Sequence, residues 1–98
     1  MVKHIILWKV NEEVEDKDAV KKNIKKGLEG LKGVIPGLIE IQVITEGLAS
    51  SNMDLMLDSS FESEAALNGY TIHPAHMDVA TNIVRPFVSV RSCFDYEV

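Results

Sequence analysis

Apolar and polar positions alternate through the opening of the chain. Val2, His4, Ile6, Trp8 and Val10 share one face of a strand over residues 2–10, and Lys3, Ile5, Leu7 and Lys9 share the other. Both faces carry large apolar groups at mid-strand, so cover is expected on both sides. The period then lengthens. Val20, Ile24, Leu28 and Leu31 recur at helical spacing, with Lys21, Lys22, Lys25, Lys26, Glu29 and Lys32 mostly off that stripe. Upstream, Glu15, Asp16 and Asp18 stand where a helix N-terminus favours negative charge. Gly27 and Gly30 each weaken the helix by roughly 1 kcal/mol relative to alanine. Gly33 is the expected C-terminal cap, and Pro36-Gly37 marks a turn.

Alternation returns over residues 38–46, with Ile39, Ile41 and Val43 on one face and Leu38, Glu40, Gln42 and Ile44 on the other. A small-residue turn over 47–52 leads to a third strand at 53–58, where Met53, Leu55 and Leu57 oppose Asp54, Met56 and Asp58. The short polar link predicts an antiparallel hairpin. Residues 59–63 offer N-caps for a short helix carrying Ala65, Ala66, Leu67 and Tyr70. Pro74 lacks an N–H, so that helix should end by Ile72 and another should begin. His76, Ala80, Ile83 and Phe87 fall on one side of the new helix, which Pro86 ends. In a fourth strand over 87–98, Val88, Val90, Phe94 and Tyr96 oppose Phe87, Ser89, Arg91, Cys93 and Asp95.

The order strand, helix, strand, strand, helix pair, strand predicts a single α+β domain over residues 1–98. It is a ferredoxin-like βαββαβ protomer: a four-stranded antiparallel sheet with its helices on one face. The opposite sheet face would expose a larger apolar patch than monomers usually tolerate. A second copy covering it, sheet against sheet, makes a homodimer: a dimeric α+β barrel with a shared apolar interior.

Charge narrows the partners. Ten basic and fifteen acidic residues leave a net charge of −5, against a phosphate-tracking protein, so no nucleic-acid partner is expected. The lysine run over 21–26 reads as a solvated helix face. The lone Cys93 can form neither an internal disulfide nor a thiolate metal site by itself. The apolar run Ile5-Ile6-Leu7-Trp8 is too short for a secretory signal, and nothing approaches the length of a membrane span. A cytoplasmic protein without a membrane partner is expected. No phosphate loop, nucleotide fingerprint or nucleophile elbow is present, so no cofactor is expected.

Candidate chemistry gathers at Tyr70-Thr71-Ile72-His73-Pro74-Ala75-His76. His73 is placed to cap the helix that Pro74 begins, and His76 falls in its first turn. There the free N–H groups disfavour a protonated imidazole. A neutral His76 can act as a general base, and the Tyr70 hydroxyl can donate to a developing oxyanion or enolate. The structural alternative is a core histidine bonded to a backbone carbonyl, with Tyr70 as a packing aromatic. His4 shares a face with Trp8 and either points into the same pocket or is satisfied in the core. Three histidines raise the question of zinc, but His73 and His76 lack the spacing of one helical face, so no metal is expected.

Several motifs carry a resemblance: Val2-Lys3-His4-Ile5, Ile35-Pro36-Gly37, Phe61-Glu62-Ser63, Tyr70 with His73-Pro74-Ala75-His76, and Asp95-Tyr96. In this order they resemble the stress-responsive A/B barrel domain family of the dimeric α+β barrel superfamily, over essentially the whole chain. The resemblance implies a ferredoxin-like protomer that dimerises into a barrel. The family holds plant heat-stable proteins, many bacterial members without assigned activity, and a plant polyketide cyclase. That cyclase uses a tyrosine and a histidine placed as Tyr70 and His76 are here, the histidine as base. It has a further pocket histidine at the position of His4, and another in the third strand, where Leu55 stands here. The resemblance therefore implies a pocket with Tyr70 and His76 as catalytic candidates and His4 and Leu55 at ligand-binding positions; Trp8, on the face of His4, and His73, beside the pair in sequence, are the other ligand-binding candidates. Its occupant would be a small hydrophobic carbonyl compound. Two functions are open: a stress-type barrel that binds a small apolar molecule, or a cofactorless cyclase, isomerase or lyase.

Overall fold

In the computed structural model, which describes residues 1–98, the elements follow in chain order. They are β1 (Val2–Val10), α1 (Lys17–Glu29), β2 (Leu38–Ile44), β3 (Leu55–Phe61), α2 (Glu64–Ile72), α3 (Pro74–Val79) and β4 (Val88–Glu97). A π-helical turn (Ala80–Val84) and a 3-10 turn (Arg85–Phe87) join α3 to β4. The sheet runs β2-β3-β1-β4, with every neighbouring pair antiparallel, so the ferredoxin-like arrangement is present. No helix is long and apolar enough to cross a membrane.

Caps set the helix starts. The Ala19 N–H donates to Asp16 Oδ1 at 3.0 Å, and the Ala66 N–H to Ser63 Oγ at 3.1 Å. The expected cap at Gly33 is corrected: α1 ends at Glu29, with Gly30 at its C-cap, and two further turns lead to Gly33. Gly33 and Gly37 both adopt positive φ, 84° and 81°. At Gly37 space matters as well, because an added Cβ would lie 2.5 Å from the Ala66 Cβ. Gly37→Ala is expected to cost roughly 1–3 kcal/mol, and Gly33→Ala, with open space around it, less. Urea midpoints of the two variants check this ranking.

Three expected boundaries shift for identifiable reasons. The third strand continues to Phe61, because the serines that resemble helix caps bond within the sheet: Ser59 Oγ donates to the His4 carbonyl at 3.0 Å. Each edge strand also begins with an extra residue. Leu38 pairs with Phe61 and Glu40 with Ser60, which leaves Ile39 as a bulge. Its side chain is exposed, while Leu38 packs against the core. Val10 likewise pairs with Val88 and Lys9 with Val90. The bulge at Ser89 turns Val88 to the core side, away from the expected company of Val90, Phe94 and Tyr96. Finally, the π turn adds a residue to the helical repeat after Val79. Ala80 and Val84 are buried and Ile83 packs against the core, so the expected stripe holds except at Phe87, which is exposed. Gly27 permits this packing: a Cβ there would meet Val79 Cγ1 at 3.1 Å and Ile83 Cδ1 at 3.3 Å.

The core lies between the helices and one sheet face. Ile6, Trp8, Leu57 and Phe61 meet Ile24, Leu28 and Leu67, all buried. The other face has no cover within the chain. Ile5, Leu7 and Met56 are half-buried, and Ile44, Val90, Phe94 and Tyr96 are exposed, Phe94 to 69%. A Lys3–Asp58 ion pair, which Ser60 joins at 3.2 Å, interrupts this apolar surface.

Candidate active site

The β1 alternation that builds the core also floors a cavity of about 380 Å³, within the range of small-molecule sites. His4, Ile6 and Trp8 of β1 lie beneath it with Leu57 of β3, and Val88 and Arg91 of β4 close one side. The roof comes from Leu28 of α1, Tyr70 of α2, His76 of α3, and Ala80, Val84 and Arg85 of the connecting turns.

The break at Pro74 fixes the roof chemistry. The Ala75 N–H donates to His73 Nδ1 at 3.1 Å, so His73 caps α3 as expected. This use of the ring keeps His73 from the cavity wall. In the first turn of α3, His76 Nδ1 stands 3.3 Å from the Thr71 carbonyl. A carbonyl only accepts, so Nδ1 carries the hydrogen and the lone pair of the neutral ring is on Nε2. The His76 ring lies 4.1 Å from that of Tyr70, centroid to centroid, at 39°. Tyr70 is 1% exposed and also packs on Phe61 at 4.9 Å. Its hydroxyl is buried without a hydrogen-bond partner in the protein.

His4 approaches the Tyr70 ring from below at 6.0 Å. Its Nδ1–H donates to Asp95 Oδ1 at 2.5 Å, which fixes the ring with Nε2 as its other nitrogen. The structure thus brings His4, Trp8, Tyr70 and His76 to one cavity. Leu55 is not among the lining residues: it is buried in the core opposite Trp8, and Leu57, one step along the same face, lines the cavity instead.

Electrostatics separate the two roof groups. Burial pushes the Tyr70 phenol well above its ordinary range, with Arg91 pulling weakly the other way. Burial is also the main cause that lowers His76, assisted by His4, Arg85 and Arg91 and opposed by the Thr71 carbonyl. Desolvation, rather than the short α3, therefore favours the neutral imidazole expected at His76. The unfolded chain takes up a proton near 6.5 that the native state resists. Stability should fall as pH drops from that value toward the lower native pKa. His76→Gln should flatten this slope, as denaturant midpoints measured against pH would read.

His4 Nδ1, Cys93 Sγ and Asp95 Oδ1 lie within 4.8 Å of one another and form the one side-chain group able to hold a metal ion. The three histidines form no such group. Here Asp95 binds His4 directly, and burial together with Asp95 raises the Cys93 thiol, which holds it away from thiolate. Asp95, Arg85 and Arg91 are the site residues that reading the sequence missed. The alternation of β4 groups Arg91, Cys93 and Asp95 on one face, and only the β1–β4 register sets Asp95 opposite His4 and Arg91 opposite Trp8.

The family model for the stress responsive A/B barrel domain matches residues 2–98. The chain is 28% identical over 98 residues to the olivetolic acid cyclase of Cannabis sativa, covering 97% of this chain and 94% of that one. It is also similar to a Bacteroides fragilis structure described as a dimeric protein of unknown function with a ferredoxin-like fold. That match has a TM-score of 0.88 and 28% identity, with 99% of this chain and 95% of the other covered. A dimeric ferredoxin-like protein of unknown function from Thermobifida fusca matches with a TM-score of 0.83 and 23% identity. The match covers 99% of this chain and 90% of that one, and it shows the fold alone.

Proposed function

This chain belongs to the stress responsive A/B barrel domain family, and from that premise we propose that it works as a homodimer whose protomers each bind a small, largely apolar carbonyl compound in the cavity under Tyr70 and His76. The observation that carries the binding reading is the Tyr70 hydroxyl. A buried donor without a partner costs roughly 1–3 kcal/mol. A ligand oxygen at the hydroxyl would remove that cost, and the apolar floor would take up the rest of the molecule. A similar structure described as dimeric and the uncovered apolar sheet face support the homodimer.

The pairing of Tyr70 with a neutral His76 favours a second reading, proton transfer. Nε2 of His76 would take a proton from the carbon beside the carbonyl. The resulting enolate oxygen would accept a hydrogen bond from Tyr70. Return of the proton to another carbon gives isomerisation; attack of the enolate on a second carbonyl gives cyclisation. A relative named as a cyclase supports this chemistry.

A thermal-shift screen of carbonyl metabolites on the wild type, His76→Ala and Tyr70→Phe tests both readings. Hits should stabilise the wild type and lose most of that shift in both variants. A shift that survives both substitutions would place the ligand elsewhere.

A further inference from the structure

We propose that Arg85 and Arg91 form an anion-binding subsite at the wall of this cavity, so that its carbonyl ligand also bears a carboxylate. The proposal rests on reading the cavity as a small-molecule site and adds the charge class of its occupant.

The chain has ten basic residues but only two arginines, and both line this one cavity; none of the eight lysines does. They arrive from different elements: Arg85 from the 3-10 turn and Arg91 from β4, opposite Trp8. Both side chains are solvent-exposed, so they stand on the open side of the cavity. The four ion pairs are Lys3–Asp58, His4–Asp95, Lys25–Glu29 and Lys32–Glu40, and they include neither arginine. In a chain of net charge −5, two guanidinium groups thus stay unpaired at the cavity wall. No carboxylate lines the cavity, and Asp95, behind His4, is bonded to that ring.

Both charges reach the chemistry. Each disfavours protonation of His76, and Arg91 also acts on Tyr70. An anion held between them would relieve that repulsion while leaving Tyr70 its oxygen. The guanidinium fork fits a carboxylate with two parallel hydrogen bonds, which an ammonium cannot offer. Phosphate sites commonly add a glycine-rich backbone cradle. No glycine lines this cavity, so a carboxylate is the better fit.

Trp8 is the only tryptophan and lies on the cavity floor, so its fluorescence reports occupancy. The probes are methyl-ketone acids from 4-oxopentanoate to 7-oxooctanoate, their primary amides, octan-2-one and octyl phosphate. At least one acid should bind the full-length wild type about tenfold or more tightly than its amide, less so at high salt. Arg91→Gln and Arg85→Gln should each remove most of that preference while leaving the amide and octan-2-one unchanged. Arg91→Lys should restore part of it. Equal binding of acid and amide, or a preference untouched by both substitutions, would overturn the subsite with the cavity reading intact. Arginine-dependent binding of octyl phosphate tighter than every acid would overturn the carboxylate class. Failure of all probes, octan-2-one included, to change Trp8 emission would instead overturn the cavity reading itself.

Discussion

Phe94→Glu is expected to leave this protein a monomer of 10.9 kDa at micromolar concentration, where the wild type should run at twice that mass. Phe94 is the most exposed apolar strand residue on the uncovered sheet face, with Ile5 opposite it on β1 and Tyr96 5.9 Å away, ring to ring. A two-fold interface doubles any charge placed on it. Each buried, unpaired carboxylate would cost several kcal/mol, and about 4 kcal/mol weakens association roughly a thousandfold. Leu7→Glu should act in the same way from β1. Far-UV circular dichroism should stay native for Phe94→Glu, because Phe94 lies outside the protomer core. Light scattering after size-exclusion chromatography reads the result directly. A wild-type monomer would remove the homodimer, and a variant that stays dimeric would move the interface to another surface.

Substitutions at Tyr70 should change stability in opposite directions. Tyr70→Phe keeps the ring against Phe61 and His76 and removes only the buried hydroxyl that lacks a partner. Stability should rise by about 1 kcal/mol, roughly 4–8 °C in Tm for a domain of this size. The same change should abolish the stabilisation conferred by a carbonyl ligand. Tyr70→Ala removes the ring as well and should cost about 3–5 kcal/mol. A less stable Tyr70→Phe would mean that the hydroxyl is already satisfied in the free protein, most simply by water. It would then offer a ligand no unmet donor. A group retained at a cost to folding is the usual signature of a site kept for binding or chemistry.

Much of this molecule follows from local pattern. The alternation of β1 separates core positions from those on the uncovered sheet face. Pro74 dictates the break between α2 and α3 and, with it, the neighbouring placement of Tyr70 and His76. Both effects arise from backbone geometry within a few residues, which the order of residue types records directly.

Other features needed the assembled sheet. The bulges at Ile39 and Ser89 depend on the register of the edge strands against β3 and β1, and they decide that Leu38 and Val88 turn inward. Helix caps and strand serines look alike until pairing is known, so β3 read as ending three residues early. The His4–Asp95 bond joins residues 91 positions apart. Arg85 and Arg91 meet at one cavity only after a π turn and an edge strand place them there. Residue type and spacing set which elements form and which side of each is apolar, because those preferences are local. Which polar groups finally face one another was decided by tertiary packing, since register, bulges and burial are properties of contacts between distant segments.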